Sequence, residues 1–182
     1  PVATLPELPS GGPAMPAPPD SHQLPPGYDT SNPGEPIQVV AVSASSELGG
    51  NTAAKAVDGL GNTRWESAHQ NDAWIQFDFG AKTPLGSMKL TWEAAYGKEY
   101  SILVSDDGDT WYQLRYVTDG RGGTEQFMNL NSYVQYVRIN GVRRGTGYGY
   151  SLFEVEFKKP GSDNTLGSKV ATSATPFPSV GA

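Results

Sequence analysis

The chain has 182 residues, a formal net charge of -6 and no cysteine. That length suits one packed domain, and the missing cysteines exclude a disulfide framework, a thiolate metal site and a cysteine nucleophile. The acidic balance opposes phosphate backbones and anionic lipid, so neither nucleic acid nor a membrane surface is an expected partner.

Residues 1–36 hold eleven of the fifteen prolines and a single aromatic residue, Tyr28. Such a stretch buries too little apolar surface to offset its ordering entropy, and its prolines favour extended polyproline II. It reads as a linker, or as a strap lying on another surface, and the position of His22 inside it argues against catalysis by that residue. The start "PVATLPELPS" has no initiator methionine and no charged stretch ahead of an apolar one. It therefore reads as a mature form or an excised fragment. No apolar run approaches the ~18 residues that cross a bilayer.

From Ile37 short apolar runs recur between Gly, Asn, Asp and Pro. In order they are "IQVVAVSASS", "AWIQFDFG", "GSMKLTW", "EYSILVS", "WYQLRYV", "EQFMNL", "YVQYVRIN" and "SLFEVEF". Ile75, Phe77 and Phe79 alternate with Gln76 and Asp78; Phe153, Val155 and Phe157 alternate with Glu154 and Glu156. Period-two alternation predicts half-buried strands, and no stretch keeps a helical period over three turns. The prediction is an all-β jelly-roll sandwich over residues 37–159, followed by a second linker over 160–182. All four tryptophans fall between 65 and 111, which places the expected core there.

Two loops invite chemistry. In "AVDGLGNTRWES" Asp58 offers a carboxylate, Gly59 and Gly61 permit a tight curl, and Thr63 adds a hydroxyl. A hard cation wants ~6–8 oxygens from such a loop, yet one carboxylate does not neutralise it, and a plain Asx turn explains Asp58-Gly59 equally. "SDDGDTW" lacks the later glutamate of an EF-hand and reads as a hairpin turn. "RRGTGYGY" has neither a following helix nor a Lys-Ser/Thr pair, so it is no phosphate loop.

Taken together, "NTAAKAVDGLGNTRWES", "WIQFDFGA", "WEAAYGKEYSILVSDDGDTWYQL" and "YVRINGVRRGTGYGYSLFEVEF" resemble, in that order, a discoidin (coagulation factor 5/8 type C) domain. The likeness covers about residues 38–158 and is strongest to family 32 of the bacterial carbohydrate-binding modules. It implies one structural calcium ion held by two distant segments. The first would supply the carbonyls of Lys55 and Leu60, the side chain of Asp58 and both oxygens of Thr63. The second would supply the carbonyl of Phe153 and the carboxylate of Glu154. Asp58 and Glu154 together balance a 2+ charge.

The resemblance also implies a glycan site on loops at the end of the sandwich. Residues there that suit sugar faces and hydroxyls are Glu47, Glu66, His69, Trp92, Tyr96, Arg144 and Tyr148. In relatives that bind chitosan, two loop glutamates and a late tyrosine hold a glucosamine unit; Glu47, Glu66 and Tyr148 match those positions. Trp65 and Trp92 suit a core position better than a ligand platform, Trp74 and Trp111 read as strand-edge core, and Arg64 reads as closing a salt bridge under its loop.

The function expected is a non-catalytic, monomeric module of a larger secreted protein, tethering a catalytic domain to a chitosan-, glucosamine- or β-glucan-type polysaccharide. Two rivals stand beside it. One is an adhesion or structural discoidin domain contacting protein or lipid; the other is a glycosidase using Glu47 and Glu66 as a carboxylate pair.

Overall fold

The computed structural model describes residues 15–165; the outer parts of both expected linkers, residues 1–14 and 166–182, lie outside the described residues. The strands are β1 (Pro36–Ile37), β2 (Ala41–Ala44), β3 (Trp65–Glu66), β4 (Trp74–Leu85) and β5 (Ser87–Trp92). They continue as β6 (Gly97–Ser105), β7 (Tyr112–Val117), β8 (Thr124–Phe127), β9 (Ser132–Arg144) and β10 (Ser151–Lys158). Each of the eight predicted runs contains a strand, and the two-residue β1 and β3 are additions. Helix among the described residues is confined to the short 3-10 turns Asp20–His22 and Ala53–Ala56 and the single turn α1 (Ser162–Thr165).

The strands form two antiparallel sheets that face one another as a jelly-roll sandwich. One has the order β1-β10-β5-β8, with β3 also paired to β10; the other has the order β2-β4-β9-β6-β7. Alternation turns directly into burial: Ile75 and Phe77 are 0% exposed, while Gln76 faces outward and accepts from Arg138 Nε and Nη2. Phe157 receives Phe77 and Phe79 edge-on, with ring centroids 5.2 and 5.1 Å away. Such contacts add to the area each ring removes from water.

Three expectations about packing change. The core runs from Ala53 to Phe157 rather than over residues 65–111, because both sheets contribute inward side chains along their whole length. Trp65 and Trp92 lie in it, but Trp74 and Trp111 are half-buried on the outer face and clasp the Arg138 guanidinium at 4.1 and 4.3 Å. In β10 the register shifts between Leu152 and Glu154: Leu152 pairs with Trp92 and Glu154 with the adjacent Thr91. This bulge gives Leu152, Val155 and Phe157 the buried positions and leaves Phe153 only half-buried. One inserted residue breaks the alternation and re-aims the side chains after it.

The N-terminal segment runs as a strap, and the surface under it is the sandwich itself. Gln113 N donates to Pro16 O (2.8 Å), Gln23 bridges to Ser132, and Pro36–Ile37 pair with β10. A clasp ties it to the other end of the domain: Ser162 N donates to Asn32 O, and Gly34 N donates to Asp163 Oδ1. Strap and clasp lie beside the start of β9 and the end of β10. The opposite ends of those strands lead to the loops of the candidate site.

Candidate functional site

Three loops meet at the end of the sandwich away from the strap. Residues 45–52 and 66–73 are laced by Leu48 N to Glu66 O (2.9 Å) and Glu66 N to Asn51 O (3.1 Å). The third loop, 145–150, joins through Ser67 N to Tyr150 O (2.8 Å), Tyr150 N to Ser67 Oγ (2.8 Å) and Tyr150 OH to Asn71 O (2.6 Å). Two glycines permit this closeness. A Cβ on Gly149 would sit 2.4 Å from Ser67 O, and one on Gly145 would sit 2.4 Å from the Tyr96 ring.

The seven expected sugar contacts divide by what surrounds them. Tyr148 is 65% exposed, and His69, also exposed, meets its ring edge-on at 5.7 Å. Arg144 holds the loop from behind: its Nη1 donates to the carbonyls of Gly147 (3.2 Å) and Tyr148 (3.0 Å), and its Nε donates to Asn71 Oδ1 (3.1 Å). Asn71, which the sequence did not single out, therefore couples two of the loops. Tyr96 is half-buried between Gly122 and Gly145.

Glu47 and Glu66 are each engaged by hydrogen bonds within the protein. Glu47 Oε2 accepts from Ala53 N at the start of the 3-10 turn. Glu66 Oε2 accepts from Asn51 Nδ2 (3.0 Å) and from Arg64 Nη2 (3.1 Å), the expected salt bridge. Trp92 needs correction as a contact. It is 4% exposed, packs against Tyr100 at 5.5 Å, and donates its indole N–H to Glu125. A flat hydrophobe at an inward strand position removes more surface from water in the core than a rim would allow.

Glu125 is the second residue that sequence reasoning missed. It is 0% exposed; Oε1 also accepts from Tyr100 OH (3.0 Å), while Oε2 is buried without a hydrogen-bond partner. Burial disfavours its charged form and pushes its pKa up to about 7, against the opposing pull of the two donors. A carboxyl raised in the folded state stabilises the fold fully below its unfolded value near 4.5, and that contribution is lost as pH rises through about 7. Stability is thus expected to fall by up to ~3 kcal/mol between about pH 5 and 8. Glu125→Gln flattens that slope in pH-dependent denaturant unfolding; a slope identical to wild type would show that Glu125 does not titrate there.

At the edge of β10 the other expected site takes shape. The turn 53–56 packs against β10, and the following loop brings Asp58 to Glu154. Gly59 N donates to Glu154 Oε1 (3.0 Å), and Leu60 N to Asp58 Oδ1 (3.0 Å). Thr63 Oγ1 lies 2.6 Å from Asp58 Oδ2 and 3.3 Å from Leu60 O. Burial, and then the nearby Asp58, push Glu154 up to about 7, while the Thr63 hydroxyl draws Asp58 below its ordinary value. Two carboxyls that face one another, with a carbonyl and a hydroxyl beside them, form an all-oxygen set suited to a hard divalent cation. Among the described residues no group of three or more His, Cys, Asp and Glu gathers around one point, so the remaining ligands would be neutral oxygens. Lys55 lies on the flanking 3-10 turn and Phe153 at the β10 bulge, next in sequence to Glu154.

The F5/8 type C domain pattern matches residues 41–155. Chitosan-binding module 1 from the chitosanase/glucanase of Paenibacillus sp. IK-5, in a selenomethionine-labelled mutant form, superposes with a TM-score of 0.64 at 36% identity, covering 69% of this chain and 99% of that one. Module 2 of the same enzyme, solved with chitotriose, gives 0.58 at 35% identity, covering 64% and 94%. The polysaccharide lyase 8 family protein HylA of Enterococcus faecalis is 32% identical over 91 residues; the match takes in 47% of this chain and 7% of that protein's length.

Proposed function

The chain belongs to the F5/8 type C domain family, and on that premise we propose that it is a non-catalytic carbohydrate-binding module which holds a larger extracellular protein against chitosan or a related β-linked glycan. The observation that carries this reading is the exposed Tyr148 ring, met edge-on by His69 and carried on a loop whose carbonyls at Gly147 and Tyr148 are held by Arg144, at the end away from the strap. Because the backbone beneath it is held, the ring can meet the C–H surface of a sugar with little loop ordering to offset. Around it Glu47 and Glu66 each use one carboxylate oxygen within the protein. Their second oxygens suit the protonated amine of a glucosamine unit, where each charged hydrogen bond contributes about 1.5–3 kcal/mol.

The same reading includes a structural calcium ion held by Asp58, Glu154, Thr63 and the carbonyls of Lys55, Leu60 and Phe153. The ion would neutralise the facing carboxyls and fix the loop, without an open position for chemistry. A glycosidase role is less favoured because each carboxylate already accepts from the protein, Glu47 from Ala53 N and Glu66 from Asn51 Nδ2 and Arg64 Nη2. A lipid-contacting role is less favoured because the exposed Leu48, at 39%, stands next to Glu47 on loops that also carry Asp72.

Titration with chito-oligosaccharides tests the glycan assignment. Affinity is expected in the roughly 0.1–1 mM range, since a shallow rim makes few contacts against the cost of association. Tyr148→Ala should weaken it by ~1–2 kcal/mol, about 5–30-fold, with the melting temperature nearly unchanged. Equal affinity in wild type and Tyr148→Ala would remove the ring from the site, and no binding to any glycan would overturn the function.

A further inference from the structure

His22 is a buried imidazole, 3% exposed, carried by the strap and not by the sandwich it lies on. Its Nε2 lies 3.2 Å from Asp106 Oδ2, in the hairpin after β6, and its ring meets Tyr112 of β7 edge-on at 5.2 Å. Lys82 of β4 reaches the same carboxylate at 3.3 Å, donates to Ser21 O at 3.1 Å, and stands 4.8 Å over the Tyr133 ring of β9. His22 Nδ1 and Asp106 Oδ1 are both buried without a hydrogen-bond partner. The neutral imidazole that donates from Nε2 fits this pocket; a second proton, on Nδ1, would create a buried N–H with no acceptor beside the Lys82 cation.

We propose that His22 is an acid-sensitive latch: the strap over residues 15–24 is docked while the imidazole is neutral and undocks when solvent protonates Nδ1. The charges around the ring do not reverse this. Asp106 favours the imidazolium, but Lys82 shares that carboxylate and opposes it, and burial is the largest influence, so the His22 pKa lies below its ordinary value of 6.5. For a histidine lowered in the docked state, the stabilisation is complete above the ordinary value and is lost as pH falls below it. The clasp at Gly34 and Asp163 contains neither His22 nor Lys82, so release is confined to the outer strap. Undocking residues 15–24 would free roughly 30 Å of extended chain between the sandwich and the residues before it. The bound glycan would sit at the far end, so acid would change the reach of the module and not its grip.

Amide hydrogen exchange on the full chain tests the latch, read at residues 15–24 at about pH 7.5 and about pH 5 and corrected for intrinsic rates. The expected result is a several-fold loss of protection in the strap at the lower pH, with β4 and β6 protected at both. His22→Phe keeps a ring against Tyr112 and cannot take a proton, so its strap should stay protected in acid. Proton NMR supplies a second measurement: the chain has two histidines, and the resonance absent from His22→Phe should titrate below 6.5 in wild type. Equal strap protection at both pH values, acid opening that persists in His22→Phe, or a His22 midpoint at or above 6.5 would each overturn the proposal. If His22→Phe fails to fold, the wild-type exchange and its two histidine resonances still decide.

Discussion

Trp92→Ala is expected to destabilise the domain by about 3–5 kcal/mol, the range for removing a large aromatic side chain from a packed core. The side chain is 4% exposed, packs against Tyr100 and Tyr150, and supplies one of the two side-chain donors to Glu125. Its loss would leave a cavity and a buried carboxyl with half its donors. Trp92→Phe separates the two effects, since it fills most of the volume but donates nothing; an intermediate loss is expected, with a changed slope of stability against pH. Denaturant unfolding measures both variants. A Trp92→Ala protein as stable as wild type but unable to bind glycan would return the residue to the rim. The opposite pattern is expected for Tyr148, where affinity falls and stability holds.

Removal of the proposed calcium ion should have an effect of similar size. An ion present at a thousand times its dissociation constant stabilises the fold by about 4 kcal/mol, so chelator is expected to lower the melting temperature by roughly 10 °C. Asp58→Ala should melt near the chelated wild type and should not respond to chelator. In the chelated protein Asp58 and Glu154 face each other without a counter-charge, so stability should also decline as pH rises through about 7, where Glu154 loses its proton. That decline should disappear when calcium is added back, because the ion favours both carboxylates in their charged form. Differential scanning calorimetry with and without chelator measures these effects. An unchanged melting temperature in chelator would remove the ion from the account, while leaving the glycan rim to be judged by the Tyr148 titration.

Much of the fold could be read residue by residue. The alternation of Ile75, Phe77 and Phe79 with polar neighbours predicts an inward and an outward face, and β4 has them. The same rule extends to a residue that sequence reasoning left aside. In "TEQF" Phe127 is inward, so period two places Glu125 inward as well, and the buried carboxyl was available from sequence. Trp92 carried two readings, with core the better supported, because an aromatic residue at a strand end also suits a sugar platform until its neighbours are known; its burial leaves only the core reading. Asn71 escaped notice because its role depends on a hydrogen bond to Arg144, 73 residues away.

By itself the sequence determined the succession of the longer strands along the chain, the all-β class, the order of motifs that identifies the family, and most of the residues on the loops. These come from local periodicity and from motif order along the chain, which need no knowledge of which strand lies beside which. Tertiary structure decided where the polar groups ended up: Glu154 turned toward Asp58 past the single extra residue of a bulge, Arg144 bonded to the loop carbonyls at Gly147 and Tyr148, His22 buried between the proline-rich strap that carries it and the sandwich. Those outcomes rest on register and on close approach of segments far apart in sequence, where a shift of one residue reverses the face a side chain takes.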